Sequence, residues 1–460
     1  MRAHQQPGTR TSSLNAVSGV APVCAPNGFT PRIRKPLSRA LLAAGVFGTL
    51  TLLAIPAHAQ SDQVETEPKT GGLGEAVEVE LTGKATAVAG VVDGNDLRGD
   101  IDAEVELKAS TILDNGLELG AVIQGRYDED QPGQLFSGGR RSGFLFGGAR
   151  GLGPQSGDAF VQGAFGYARG GFGKVVVGRD QGVARQLAVT APTIFQSVNV
   201  NNWRTDLSGL NDIHTINDFS GYATKISYLP PANFLGGIVG GLQLGVSYAP
   251  QLTECGDDLC APQDDRLLLS AEPLFTTNSR WENVLEGAFF YQKGLDFGSD
   301  GQKDLFIGFG ASVVTAEEDT NLGPATFDDY QSYSLGLNLA FRGLTLGGSF
   351  KSSQGGLLLT ENNDDDYFAF DAGVTYKTGD WGFMLGYGKS EANLIGPTRN
   401  PVTDPLLFQD TQSAQAGVTY FLGRGITIGA AAQYVDSKKP TVIGGPEDAV
   451  TAVIETGIRF

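Results

Sequence analysis

The sequence predicts an all-β protein: a transmembrane, antiparallel, up-and-down β-barrel of about sixteen strands, with short periplasmic turns and long external loops. Three observations predict it. Segments of about ten residues alternate large apolar with small or polar side chains, and a period of two places the sets on opposite faces of a strand. Connections between these segments alternate between tight turns and long loops, the asymmetry of an outer-membrane barrel. Glycine supplies 65 of 460 residues, a usage suited to turns and barrel bends rather than helix interiors.

The first element is a leader. Residues 1–59 hold Arg2, Arg10, Arg32, Arg34, Lys35 and Arg39 and no carboxylate. In RIRKPLSRALLAAGVFGTLTLLAIPAHA, residues 32–59, basic residues precede an apolar core from Leu41 to Ile55. That core is shorter than the ~20 residues a membrane helix needs. Ala57-His58-Ala59 fits the small-x-small cleavage pattern, so residues 1–59 read as a secretory signal with an extended N-terminal region, cut between Ala59 and Gln60. A periplasmic segment, 60–77, is expected to lead into the barrel, 78–460.

Strands are expected near 80–92, 100–112, 116–127, 158–167, 171–179, 220–228, 242–249, 281–292, 304–316, 330–341, 344–352, 366–377, 381–390, 411–422, 426–436 and 449–460. In Tyr333–Phe341 one face is Tyr333, Leu335, Leu337, Leu339 and Phe341, and the other is Ser334, Gly336, Asn338 and Ala340. Tight turns follow even strands, as at Arg342-Gly343, Thr378-Gly379-Asp380 and Gly423-Arg424-Gly425. The long connections include 128–157, 180–219, 250–280 and 391–410, and Arg266–Ser270 is assigned to a loop because a strand there breaks the alternation. Aromatics crowd segment ends (Tyr228, Tyr248, Phe341, Phe350, Tyr376, Trp381, Tyr387, Tyr420), where a lipid–water boundary would receive them. An even strand count lets the first and last strands pair, leaving no edge unbonded in lipid.

Charge and chemistry narrow the function. Without residues 1–59, 27 basic residues face 51 acidic ones, a formal charge of −24. An acidic body argues against nucleic acid as a partner and concentrates cations at its openings. Cys255 and Cys260, in TECGDDLCAPQDD, are a disulfide candidate in an oxidising compartment. Two thiols without nearby histidine leave a zinc shell half empty, so no metal is expected there. Asn95-Asp96 and Asn362–Asp366 lack EF-hand spacing and read as solvated loop tips. His214 is the one histidine after residue 59, with no Ser-His-Asp signature around it, so neither an enzyme nor a cofactor is expected.

Asp158–Arg179, DAFVQGAFGYARGGFGKVVVGR, resembles the paired strands before the constriction loop of trimeric general porins, especially the alphaproteobacterial type. Thr224–Tyr248, TKISYLPPANFLGGIVGGLQLGVSY, resembles the pair after that loop, and the final ETGIRF resembles their closing strand. The resemblance covers nearly all of the chain after the leader; the enteric PEFGG motif is absent, so details of that branch do not carry over. It implies passive diffusion of small hydrophilic solutes and ions, a homotrimer in outer-membrane lipid, and Phe460 as the residue read by the barrel-assembly machinery. It also implies that loop three, about 180–219, folds inward as a constriction whose carboxylates are Asp206, Asp212 and Asp218. By parity Lys84, Lys108 and Arg126 share the polar faces of the first three strands with Thr82, Thr86, Glu104, Glu106 and Gln124. An acidic loop opposite a basic wall would set a transverse field, and the net charge points to a weak cation preference. A surface adhesin or structural barrel, a substrate-selective channel and an outer-membrane hydrolase are the competing functions for such a sequence.

Overall fold

The computed structural model describes residues 77–94, 96–128, 158–231, 241–252, 280–295, 305–319, 329–354, 367–394, 407–439 and 445–460. The leader with Ala59 and Gln60, residues 60–76, Cys255 with Cys260, and the acidic stretch 362–366 lie outside the described residues.

Sixteen strands form one sheet: β1 (Glu78–Val92), β2 (Asp96–Ile112), β3 (Glu118–Asp128), β4 (Asp158–Gly170), β5 (Gly173–Arg179), β6 (Thr224–Leu229), β7 (Leu242–Leu252), β8 (Arg280–Leu295), β9 (Leu305–Asp319), β10 (Tyr330–Phe341), β11 (Leu344–Gln354), β12 (Tyr367–Thr378), β13 (Trp381–Leu394), β14 (Leu407–Gly423), β15 (Ile426–Lys438) and β16 (Glu447–Arg459). Each is antiparallel to its chain neighbours, and β1 pairs with β16, so the barrel closes. Two-residue turns make the β10–β11 and β14–β15 hairpins. Arg342 and Gly343 have φ of 47° and 86°, and Arg424 and Gly425 have 52° and 76°. Both residues of such a turn sit in the left-handed region, and that twist matches the strands on either side.

Alternation sorts the faces as expected. In β16, Val450, Ile454 and Ile458 are exposed outward while Ala449, Thr451, Val453 and Glu455 are buried inside. Large apolar side chains on the outside of a closed barrel are its lipid-facing surface. No described helix is long and apolar enough to cross a membrane.

Several strand limits differ from expectation by three or four residues, three strand starts among them. β2 begins at Asp96 and β14 at Leu407, each several residues early. Backbone pairing there continues past the end of hydrophobic alternation, as Leu97 opposes Val91 and Asp410 opposes Lys438. Conversely, β6 begins at Thr224 rather than near residue 220. The chain over 220–223 is still inside the barrel, held where the Lys225 ammonium donates to Ser220 Oγ at 2.5 Å and to the Gly221 carbonyl at 2.6 Å.

Candidate functional site: the lumen and its inserted loop

Residues 180–223, between β5 and β6, fold into the barrel and lie along its inner wall. The segment starts with one turn of helix, α1 (Val183–Gln186), and runs outward past β7 to β16. Glycines on the inner strand faces receive it. A Cβ on Gly310 would stand 2.8 Å from the Leu187 carbonyl oxygen, and one on Gly417 2.5 Å from the Phe195 ring. A side chain at Gly310 would push against the loop backbone, and one at Gly417 would displace the Phe195 ring. At the far end Leu207 meets Gly90 of β1, and Arg98 of β2 donates to the Leu207 carbonyl at 2.7 Å. The chain then returns to Phe219, which stacks on Tyr330 with centroids 3.8 Å apart and meets Trp281 edge-on at 5.4 Å.

A loop with so little helix leaves many backbone N–H groups to satisfy, and buried ones require acceptors. Three wall carboxylates supply them. Glu455 of β16, 1% exposed, accepts from Gln196 N (2.7 Å), Ser197 N (2.8 Å), Ser197 Oγ (2.7 Å) and Val198 N (2.8 Å). Asp371 of β12, 3% exposed, accepts from Ala191 N at 3.1 Å, Asn201 Nδ2 at 2.6 Å and Thr215 Oγ1 at 3.0 Å. Glu286 of β8 takes Ala184 N at 3.3 Å. These residues were missed by sequence reasoning. Their signal was a lone acid on the inward face of a strand, as Asp371 is in YFAFDAGVTY and Glu455 in VTAVIETGIR.

The loop's own acids are turned to the same task. Asp206, 2% exposed, accepts from Ser208 N, Leu210 N and Asn211 N at 3.1, 2.9 and 2.9 Å, closing the loop tip on itself. Asp212, fully buried, accepts from Gln409 Nε2 of β14. Asp218, 5% exposed, pairs with Arg185 at 2.7 Å. All three therefore lie in the inserted loop, but none offers an exposed carboxylate to water. The expected acidic face is replaced by internal hydrogen bonding.

The opposite wall also departs from expectation. Lys84, Lys108 and Arg126 do point inward, yet each meets an acid of a neighbouring strand: Lys84–Glu104 at 3.1 Å, Lys108–Glu80 at 3.4 Å, and Arg126–Asp102 at 2.7 Å with Glu104 4.0 Å away. Gln124 donates to Glu106 at 2.7 Å, and Arg169 lies 3.7 Å from Glu118. The wall of β1–β4 thus alternates in sign rather than being basic. It stays half-exposed, with the Lys84 side chain 44% accessible, whereas the wall from β7 to β16 is largely covered by the loop. The partly accessible charged side chains of the lumen are those of β1–β4, beside the inserted loop.

Where the loop leaves β5, Asp180 accepts from Gln181 N at 2.8 Å and Gln186 Nε2 at 3.2 Å, and burial pushes its carboxyl above the usual range. Where the loop rejoins the sheet, Tyr222 Oη accepts from Gln181 Nε2 at 2.8 Å, and burial pushes its phenol up.

A closed barrel with an apolar exterior, a charged half-exposed inner wall and a loop folded inside defines a channel-type outer-membrane barrel. The chain matches the family described as Gram-negative porin over residues 40–440 and belongs to that family. Among solved structures it is similar to OmpF of Salmonella typhi in complex with daunomycin, at 13% identity and a TM-score of 0.50, covering 83% of this chain and 97% of that one. It is also similar to the trimer form of OmpT, an outer membrane protein of Vibrio cholerae (12% identity, TM-score 0.49, 84% and 100% covered). A third is the outer membrane channel DcaP of Acinetobacter baumannii (14%, 0.49, 85% and 99%). No curated protein matches the chain. Family and barrel place the protein in the outer membrane and point to a channel rather than an enzyme.

Proposed function

We propose that this porin passes small hydrophilic solutes and ions by passive diffusion, with a weak cation preference, as a homotrimer. The observation that carries the reading is the half-exposed wall of β1–β4, whose cross-strand pairs carry both signs. Such a wall holds water and binds neither sign of ion strongly, so permeating ions can leave as readily as they enter. The preference comes from the −24 formal charge beyond residue 59, which enriches cations at the mouths, and it is weak because the wall is nearly balanced.

The exterior supports the trimer. β1, β2, β5 and β16 contain no aromatic residue. Strands elsewhere expose Tyr248, Tyr333, Phe350, Tyr376, Trp381, Tyr387 and Tyr434. Aromatics mark the lipid–water boundary, and a smooth Val/Leu/Ala face without them suits another copy of the chain. Phe460 fits the terminal residue read by the assembly machinery: it follows the last strand and exchanges backbone hydrogen bonds with Gly83 at 2.8 and 3.0 Å.

Single-channel recording of the purified protein in a planar bilayer tests the reading. Large, nearly ohmic steps and a reversal potential on the cation side of a salt gradient are expected. A barrel that stays closed refutes diffusion and favours the adhesin reading; an anion-side reversal refutes the preference.

A further inference from the structure

We propose that Phe306, on the inward face of β9, is a stacking residue for neutral sugars, which it retains briefly as they pass through the channel. The inference names a substrate class for the diffusion-channel reading above and rests on that reading.

Period-two alternation puts large apolar side chains on the outside of the barrel, toward lipid. Among the described residues, the exposed large apolar side chains at paired strand positions follow this rule, with Phe306 the exception at 41% exposure. Register fixes its face. Gly310 lies against the Leu187 carbonyl, and Ser312 Oγ accepts from Asn217 Nδ2 at 3.0 Å, so both stand on the inner wall under the loop. Phe306 shares their parity, and the pairing of β9 with β10 runs from Ser312 to Phe306 without a bulge. It lies opposite Ala340, at the same end of the barrel as the Arg342-Gly343 turn.

The floor around the ring is small. Gly294 and Ala340 stand directly opposite on the two neighbouring strands, and Gly308 is the next inward residue of β9. No bulky neighbour on that face covers the ring, which is left to a solute. Amides stand on the diagonals, within reach of an aromatic side chain. Gln292 of β8 and Asn338 of β10 both lie opposite Gly308. Gln292 is exposed, while Asn338 Nδ2 donates to the Thr190 carbonyl of the loop at 3.1 Å. A ring edged by amides suits a solute with one apolar face and a polar rim. A pyranose is such a solute: C–H groups gather on a face that can lie on the ring, and hydroxyls at its edge can bond an amide. A hydrocarbon chain would need a longer apolar groove, and an ion meets no charge among these side chains. One ring binds weakly, so the sugar leaves as readily as it arrives.

The test is block of single-channel current by maltotriose, with a polyethylene glycol of similar mass as the size control and the heat-modifiable band confirming a folded barrel. In the parent protein, maltotriose is expected to reduce the current to a saturating level, beyond the effect of the glycol. Phe306→Ala is expected to raise the half-blocking concentration about three- to tenfold, the loss of one covered ring face, while Phe306→Tyr keeps the parent value. Gln292→Ala is expected to raise it by a smaller factor. A conducting parent that maltotriose blocks no more than the glycol does overturns the assignment. An unchanged half-blocking concentration in Phe306→Ala overturns it as well, and a lowered melting temperature in that variant would then show that the ring only covers Gly294. Should Phe306→Ala fail to fold, Phe306→Leu, which stays apolar but lacks the ring, decides by the same comparison. A parent without ohmic steps refutes the channel reading instead.

Discussion

Glu455 shows what one inward side chain does in this barrel. Its two oxygens satisfy three consecutive backbone N–H groups and a hydroxyl of the loop, from 1% exposure. Leaving a buried donor without an acceptor costs about 1–3 kcal/mol, and a carboxylate acceptor is stronger than a neutral one. Glu455→Ala is therefore expected to detach the loop near Gln196 while β16 stays paired. The checks are noisier single-channel current, larger mean conductance and faster proteolysis within 190–215, with an unchanged far-ultraviolet β signal. A quiet, parent-like channel would show that the glycine bed alone holds the loop. That bed was readable only as composition. The excess of glycine was visible as turns and bends, yet Gly310 and Gly417 sit mid-strand because Leu187 and Phe195, over a hundred residues away in sequence, come against them.

Elements register where strands and the loop begin and end. The seam between β1 and β16 closes at Gly83, where an added Cβ would stand 2.7 Å from Phe460 Cζ and 3.0 Å from the Glu104 carbonyl oxygen. Gly83→Val is expected to overpack this joint, costing roughly 1–3 kcal/mol, and to lower the temperature at which the folded band converts to the unfolded one on gels. Equal melting would show that the terminal ring contributes nothing to closure. At the start of the loop, Asp180 gives a pH signature. Its carboxyl is raised by burial, so the folded protein favours the protonated form more than the unfolded chain does. Its stabilising contribution is present at low pH and is lost as pH rises through the raised value. Asp180→Asn removes that loss, so the variant is expected to be more stable than the parent at neutral pH, with the gap narrowing as pH falls. Melting curves at several pH values check it, and a constant gap argues against the linkage.

On the scale of the whole molecule, the outer surface divides into two territories. Val105 of β2, 44% exposed, lies in the contiguous run β16–β1–β2, which has no aromatics, and Leu385 of β13, 60% exposed, lies among strands rich in them. If another copy covers the first territory and lipid the second, Val105→Arg yields folded monomers, while Leu385→Arg leaves the trimer intact and destabilises it by about 2–4 kcal/mol, the cost of a charge near the bilayer midplane. Cross-linking and native gels separate these outcomes. A Val105→Arg trimer would move the interface elsewhere.

The strands, their even number, the turn positions and the lipid-facing side were determined by the sequence alone. Period-two alternation and turn chemistry are local properties, legible within ten residues: Arg342-Gly343 and Arg424-Gly425 had to reverse the chain wherever the barrel stood. The inward face was identifiable as polar, but its partners were not. Parity placed Lys84, Lys108 and Arg126 inside, yet only cross-strand register put Glu104, Glu80 and Asp102 beside them. Only the closed barrel brought Asp371 and Glu455 against a distant loop and left Asp206, Asp212 and Asp218 buried while Arg185 faced water. A side chain's face follows from the backbone's local repeat. Its electrostatic role follows from which remote groups share the enclosed space, and that depends on register and closure of the whole sheet.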